Sequence, residues 1–308
     1  MRAKLFIAGC ALAAMIWAVP TVGAAHFFGP PDATTPFTRT ARLRVDQDRG
    51  LLVDAWINGR GPFIFVVDTG AGLHIISQRL VDQIGLPVKT VNPTMIGGLS
   101  SARTTASKEA TLERVALGDN TNTLPSRQVA LVAANLPADI DGVLDPTEAF
   151  APNGFVVDMP RETIGALVGS LSHTPQTSVE SAVVPWIRRG SDNRPFVRLG
   201  DGRIALIDTG SRFGLGVSEA NAIIVGRNGN QVRNQSARDI AGGNISFRRV
   251  APTTVSVGDL VLRSIPTDIL FGVDRGTPVL LGRDALYPFR LSFDPQQRLI
   301  QFVAAEAD

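Results

Sequence analysis

From Ala41 onward, apolar residues come in short runs separated by Gly, Asn, Asp and Pro, the rhythm of strands joined by turns. "ARLRVD" (41–46) alternates apolar and charged positions, which predicts a strand with one buried face. "LLVDAWI" (51–57) predicts a second strand and "NGRG" (58–61) the turn after it. "PFIFVVD" (62–68) is apolar on both faces and ends on Asp68. Helical signals are confined to 77–84, 146–150, 218–224 and 283–286. The expected fold is mostly β.

The pattern then repeats. "NGRGPFIFVVDTGAG" in the first half faces "GDGRIALIDTGSR" in the second, and "MIGGLS" (95–100) faces "IAGGNIS" (240–246). "VALGD" (115–119) matches "VSVGD" (255–259), "DGVLDPTEAF" (141–150) matches "PVLLGRDAL" (278–286), and "FVVDMPRETI" (155–164) matches "LSFDPQQRLI" (291–300). Five blocks recur in one order, so the chain reads as two copies of one lobe, 41–168 and 183–308, joined by a polar linker at 169–182. A length of 308 residues, 44% of them apolar, can bury the cores of both.

The beginning of the chain is of another kind. Residues 1–25 carry Arg2 and Lys4, then an apolar stretch and then small residues, the layout of a secretory signal peptide. This predicts an exported protein, periplasmic or secreted, or one held by an uncleaved N-terminal segment. Residues 26–40, rich in Pro and Thr, are expected to form an extended arm. Charge changes its meaning once the leader is set aside. Without Arg2 and Lys4, the 30 basic residues become 28, balanced by 28 acidic ones. The formal charge of +2 therefore gives no electrostatic case for nucleic acid or an anionic membrane. The only cysteine, Cys10, lies in the leader, which leaves a mature chain with neither disulfide nor thiol nucleophile.

Candidate chemistry centres on Asp-Thr-Gly, which occurs at 68–70 and again at 208–210, each time at the end of an apolar strand. Alone, such a triplet is an ordinary turn. Repetition in equivalent places points to two partly desolvated carboxyls, Asp68 and Asp208, that meet if the lobes pack face to face. Held close, they would share one proton and serve as base and acid toward a single water. Thr69 and Thr209 can lock the turns, while Gly70 and Gly210 permit close approach. Other chemistries lack their signatures. The histidines are His26, His74 and His173, there is no G-x-S-x-G elbow, and His74 reads as a half-exposed strand residue. No H-E-x-x-H, cysteine cluster or EF-hand loop occurs, so neither metal nor cofactor is expected.

On these residues, 41–308 resembles an aspartic protease of the retropepsin and pepsin clan in a bilobal single-chain form. "FVVDTGAG" is similar to the retroviral motif and "LIDTGSRF" to the pepsin type. "PVLLGRDALYPFRLSFDPQQRLIQF" resembles the closing stretch of a pepsin-like C-terminal lobe. The resemblance implies two homologous β-barrel lobes related by pseudo-two-fold symmetry, with the active site in the cleft between them. It implies Asp68 and Asp208 as the dyad, supported by Thr69, Gly70, Thr209 and Gly210, with Ser211 placed to bond the outer carboxylate oxygen. It further implies hairpin flaps carrying Gly97, Gly98, Gly242 and Gly243, and a monomer acting on peptide or protein substrates without a stable membrane partner.

The sequence departs from the family at Asp145, where apolar-apolar-Gly is usual in the first lobe. A carboxylate there adds a third negative charge near the dyad or, with Pro146 and Glu148, caps a short helix. Tyr287 is the only tyrosine, so no pepsin-like flap tyrosine exists. Gly72 and Arg212 follow the motifs where small polar or acidic residues are common, and Arg212 is expected to face solvent. Two functional readings stay open: an endopeptidase that takes an extended peptide between the lobes, and a catalytically inactive peptide-binding module on the same fold.

Overall fold

The strand pattern carries over into three dimensions: the protein is mostly β, with 57% of residues in strands and 8% in helices. This computed structural model describes residues 39–305, apart from 101, 173–179, 191, 225–234, 240–241 and 275. The signal-peptide assignment, Cys10, His26, His173, most of the 26–40 arm and the middle of the expected linker lie outside the described residues. Thr35–Asp308 form one compact unit.

The apolar "FIFVV" run lies in the Arg60–Val67 strand and pairs in parallel with Gly142–Leu144. His74–Ser77 completes this arrangement, antiparallel to Gly142–Leu144 and parallel to Gln128–Ala133. The second half builds the same crossing. Ile204–Asp208 pairs in parallel with Val279–Gly282, and Leu215–Ser218 runs antiparallel to that strand and parallel to Leu260–Phe271. In both halves an Asp thus leaves the end of a central strand, where neighbours on each side hold the backbone in register.

The strands assemble into a 14-stranded and an 8-stranded sheet, and no closed barrel forms among the described residues. The larger sheet crosses between the halves. Phe155–Asp158 pairs with Phe289–Asp294, which pairs with Leu299–Ala304, which in turn pairs with Ser181–Pro185. Here Phe155 stacks on Phe293 with ring centroids 4.4 Å apart, and Trp186 meets Phe293 edge-on at 6.1 Å. These rings belong to one core that runs from Ala41 to Phe302.

The helices fall where their caps predict. Gln78–Ile84 begins at Ser77, whose hydroxyl accepts from the Leu80 amide, and stops at Gly85 with φ 64°. Pro146–Ala149 begins at Asp145, and Arg283–Leu286 follows Gly282. The 218–224 signal yields a 3₁₀ helix, Glu219–Ile224.

Candidate active site

The two central strands deliver their Asp-Thr-Gly turns to each other. Thr69 Oγ1 donates to the Ile207 carbonyl at 2.7 Å and accepts from the Thr209 amide at 3.0 Å. Thr209 Oγ1 donates to the Val67 carbonyl at 3.0 Å and accepts from the Thr69 amide at 3.1 Å. Both threonines are wholly buried. Four reciprocal hydrogen bonds with no water access fix the separation of the turns closely.

On this base the Asp68 and Asp208 carboxyls come close enough to shift each other's proton affinity. The turns lie so near that a Cβ on Gly210 would stand 2.4 Å from the Asp68 carboxyl carbon, and one on Gly70 would stand 2.8 Å from that of Asp208. Only glycine allows this approach. The Gly70 amide donates to Asp68 Oδ1 at 2.7 Å and the Ser211 amide to Asp208 Oδ1 at 3.0 Å. Ser211 thus meets the Asp208 carboxylate through its backbone amide. Its hydroxyl accepts from the Phe213 amide at 3.3 Å.

Burial raises the proton affinity of Asp208, to a pKa of about 8, with the nearby Asp68 charge adding to it. Burial also raises Asp68, opposed by the Gly70 amide, the Asp208 carboxyl and the guanidinium groups of Arg283 and Arg194. Two carboxyls held this close titrate as a pair, because each charge opposes ionisation of the other.

A cleft of about 850 Å³ opens over the dyad. Val66, Leu136 and Val143 line it from the first half, Phe213 and Ile245 from the second. Gly98 and Gly242 also reach it, whereas Gly97 packs against Arg103 and Gly243 against Ser100. The two glycine turns touch. Asp239 accepts from the Ser100 amide of the opposite turn at 2.8 Å and from its own Gly243 amide at 2.9 Å. Arg103 pairs with Asp274, and Ser100 forms an antiparallel bridge to Val273.

With this geometry in view, the likeness to known proteins is specific. Residues 53–144 match the family described as aspartyl protease. Over that stretch the chain is similar to aspartyl proteases, in keeping with the retropepsin/pepsin resemblance of its motifs. The match takes in Asp68, the glycine turn at 97–98 and the parallel partner strand, and it ends beside Asp145. No curated protein matches the chain. In the aspartyl protease frame the second Asp-Thr-Gly lies beyond the matched residues, and its place here rests on its contacts with the first.

Several residues that serve this site escape sequence reading. Arg283, only 6% exposed, donates to the carbonyls of Thr209 (3.3 Å), Gly210 (3.0 Å) and Gln47 (3.1 Å), so one guanidinium fastens the second turn to the first half. The available signal was its position directly after the Gly of "LLG". Arg194 pairs with Asp192 at 2.6 Å and donates to the Gly70 carbonyl at 3.4 Å. No motif marks it.

His74 is not half-exposed but buried. Its Nε2 bonds Gln128 Oε1 at 2.9 Å, and its Nδ1 accepts from the Asp145 amide at 3.1 Å. Burial lowers its pKa to about 4, so it is a neutral structural imidazole. Arg212 lines the cleft instead of simply facing solvent, 3.8 Å from Asp48 and above the Phe247 ring. Among the described residues no cluster of His, Cys, Asp or Glu is suited to hold a metal ion.

Proposed function

We propose that this protein is an aspartic endopeptidase in which the Asp68/Asp208 pair activates water. One observation carries the reading: two carboxyls, held together by the reciprocal threonine bonds of their turns, lie beneath a cleft of about 850 Å³. Asp208, whose proton affinity burial and the Asp68 charge both raise, serves as the acid, and Asp68, which the Gly70 amide and the Arg283 and Arg194 guanidinium groups favour in its charged form, serves as the base. A water between them attacks the peptide carbonyl carbon and loses a proton to Asp68, while Asp208 gives its proton to the carbonyl oxygen. The C–N bond then breaks as a proton passes to the leaving nitrogen. Val66, Leu136, Val143, Phe213 and Ile245 in the otherwise mixed cleft wall support substrates with apolar side chains near the cut.

In the same proposal 41–168 and 183–308 are tandem lobes joined at 169–182. The leader at 1–25 directs export to the periplasm or medium, and the protein acts as a monomer without cofactor. The inactive peptide-binding module would need neither carboxyl, and the reciprocal pairing of both turns through Thr69 and Thr209 favours catalysis.

The test is a peptide-library digest with wild type, Asp68→Asn and Asp208→Asn across pH. Each variant is expected to lose about 10³-fold or more in kcat. Wild-type activity should persist through neutral pH and fall as pH rises through about 8, where Asp208 gives up its proton. Undiminished cleavage by Asp208→Asn would reject the mechanism, and peptide binding without cleavage by wild type would favour the module.

A further inference from the structure

The two carboxyls of the dyad are backed by opposite kinds of group. Behind Asp208 stands the sequence Gly282–Arg283, with the guanidinium on the turn carbonyls. Behind Asp68, at the place that corresponds to Gly282, stands Asp145, 2% exposed. The register is tight: Val67 pairs with Leu144, and the Asp68 amide donates to the Leu144 carbonyl at 3.0 Å. A Cβ on Gly282 would stand 2.4 Å from the Phe213 carbonyl oxygen and 2.8 Å from that of Ser211, so the second half cannot take a side chain there. The first half makes room by a different bond. Where the Gly282 amide donates to the Gly214 carbonyl, the Asp145 amide donates to the His74 ring.

We propose that Asp145 is a positioning residue of the dyad, a third carboxyl that keeps the shared proton on the Asp68/Asp208 pair as the medium turns alkaline. This rests on the proposed function and specifies how its pH range is set. Three ionisable groups bear on Asp145: Asp68 at the end of the paired strand, Glu148 in the helix it caps, and the neutral His74. Oδ1 accepts from the Thr147 amide at 2.9 Å, so the side chain is held in place as a cap. Burial raises its pKa to about 8, and the charges of Glu148 and Asp68 add to the shift. Asp145 and the last proton of the dyad therefore leave in the same pH range. Whichever ionises first makes the other's loss harder, and the effect is reciprocal. Removing the third carboxyl should let the dyad lose its proton at lower pH.

The experiment compares Asp145→Asn and Asp145→Ser, both neutral and both able to cap a helix, with wild type. The alkaline midpoint of kcat/KM should fall by about half a pH unit in each variant, the shift expected for two groups of similar pKa coupled by about one unit. An unchanged or raised midpoint overturns the proposal.

Thermal unfolding supplies a readout that needs no activity. Asp145 keeps its proton up to about 8 in the folded chain, against 3.8 for a free side chain, so its contribution to stability is present at acid pH and is lost as pH rises toward 8. The melting temperature of Asp145→Asn relative to wild type should therefore climb from pH 5 to pH 8. That climb should be smaller when both chains also carry Asp68→Asn. A climb of equal size in the two backgrounds, or none, overturns the coupling. Failure of wild type to cleave any peptide, with the melts as expected, would reject the proposed function and leave the coupling standing.

Discussion

At the scale of single residues, the site depends on hydroxyls and glycines as much as on the acids. Thr209→Ala would leave the Val67 carbonyl and the Thr69 amide buried without their partners, at a cost of about 2–4 kcal/mol. Thr209→Ser keeps both bonds and should restore most of the loss, and denaturant unfolding of the two variants measures the difference. Equal destabilisation by Ala and Ser would mean that packing of the methyl group, and not the grip, is what matters. Much of this level is legible in the sequence, because Asp-Thr-Gly is a local motif with a fixed local geometry. What stays hidden is contact at long range. Nothing near Arg194 or Arg283 states that a turn elsewhere in the chain presents carbonyls to them. His74 misleads for the same reason, since its burial is created by Gln128 and the Asp145 amide.

Among the elements, the glycine-rich turns over the cleft carry the clearest consequence. The Ser100 amide is held by a carboxylate from the other turn, a charge-assisted bond of the stronger kind. Asp239→Ala should let amides of 97–103 exchange with solvent about tenfold faster, as followed by mass spectrometry, with Asp239→Asn in between. Exchange as slow as in wild type would show that Arg103–Asp274 and the Ser100–Val273 bridge suffice to hold the turn. Strands and helices were readable in advance, since the period of apolar residues and the caps at Ser77 and Asp145 are written locally. The contact between the turns was not, because it joins an aspartate just before one glycine pair to a backbone amide just after the other.

For the molecule as a whole, the sheet that passes from Phe155–Asp158 into Phe289–Asp294 and the large core cluster that draws on both halves predict one cooperative unfolding event. Calorimetry should record a single transition, and two resolved transitions would mean that the halves unfold separately. The repeat in the sequence announces two similar halves but not how much backbone they share. The reciprocal grip has a consequence for descent as well. Each threonine grips a carbonyl that its own half does not supply, and the two lie 140 positions apart. Neither copy can drift alone: a change that tilts one turn moves a reactive group encoded by the other, so compensating changes should arise in pairs across that span.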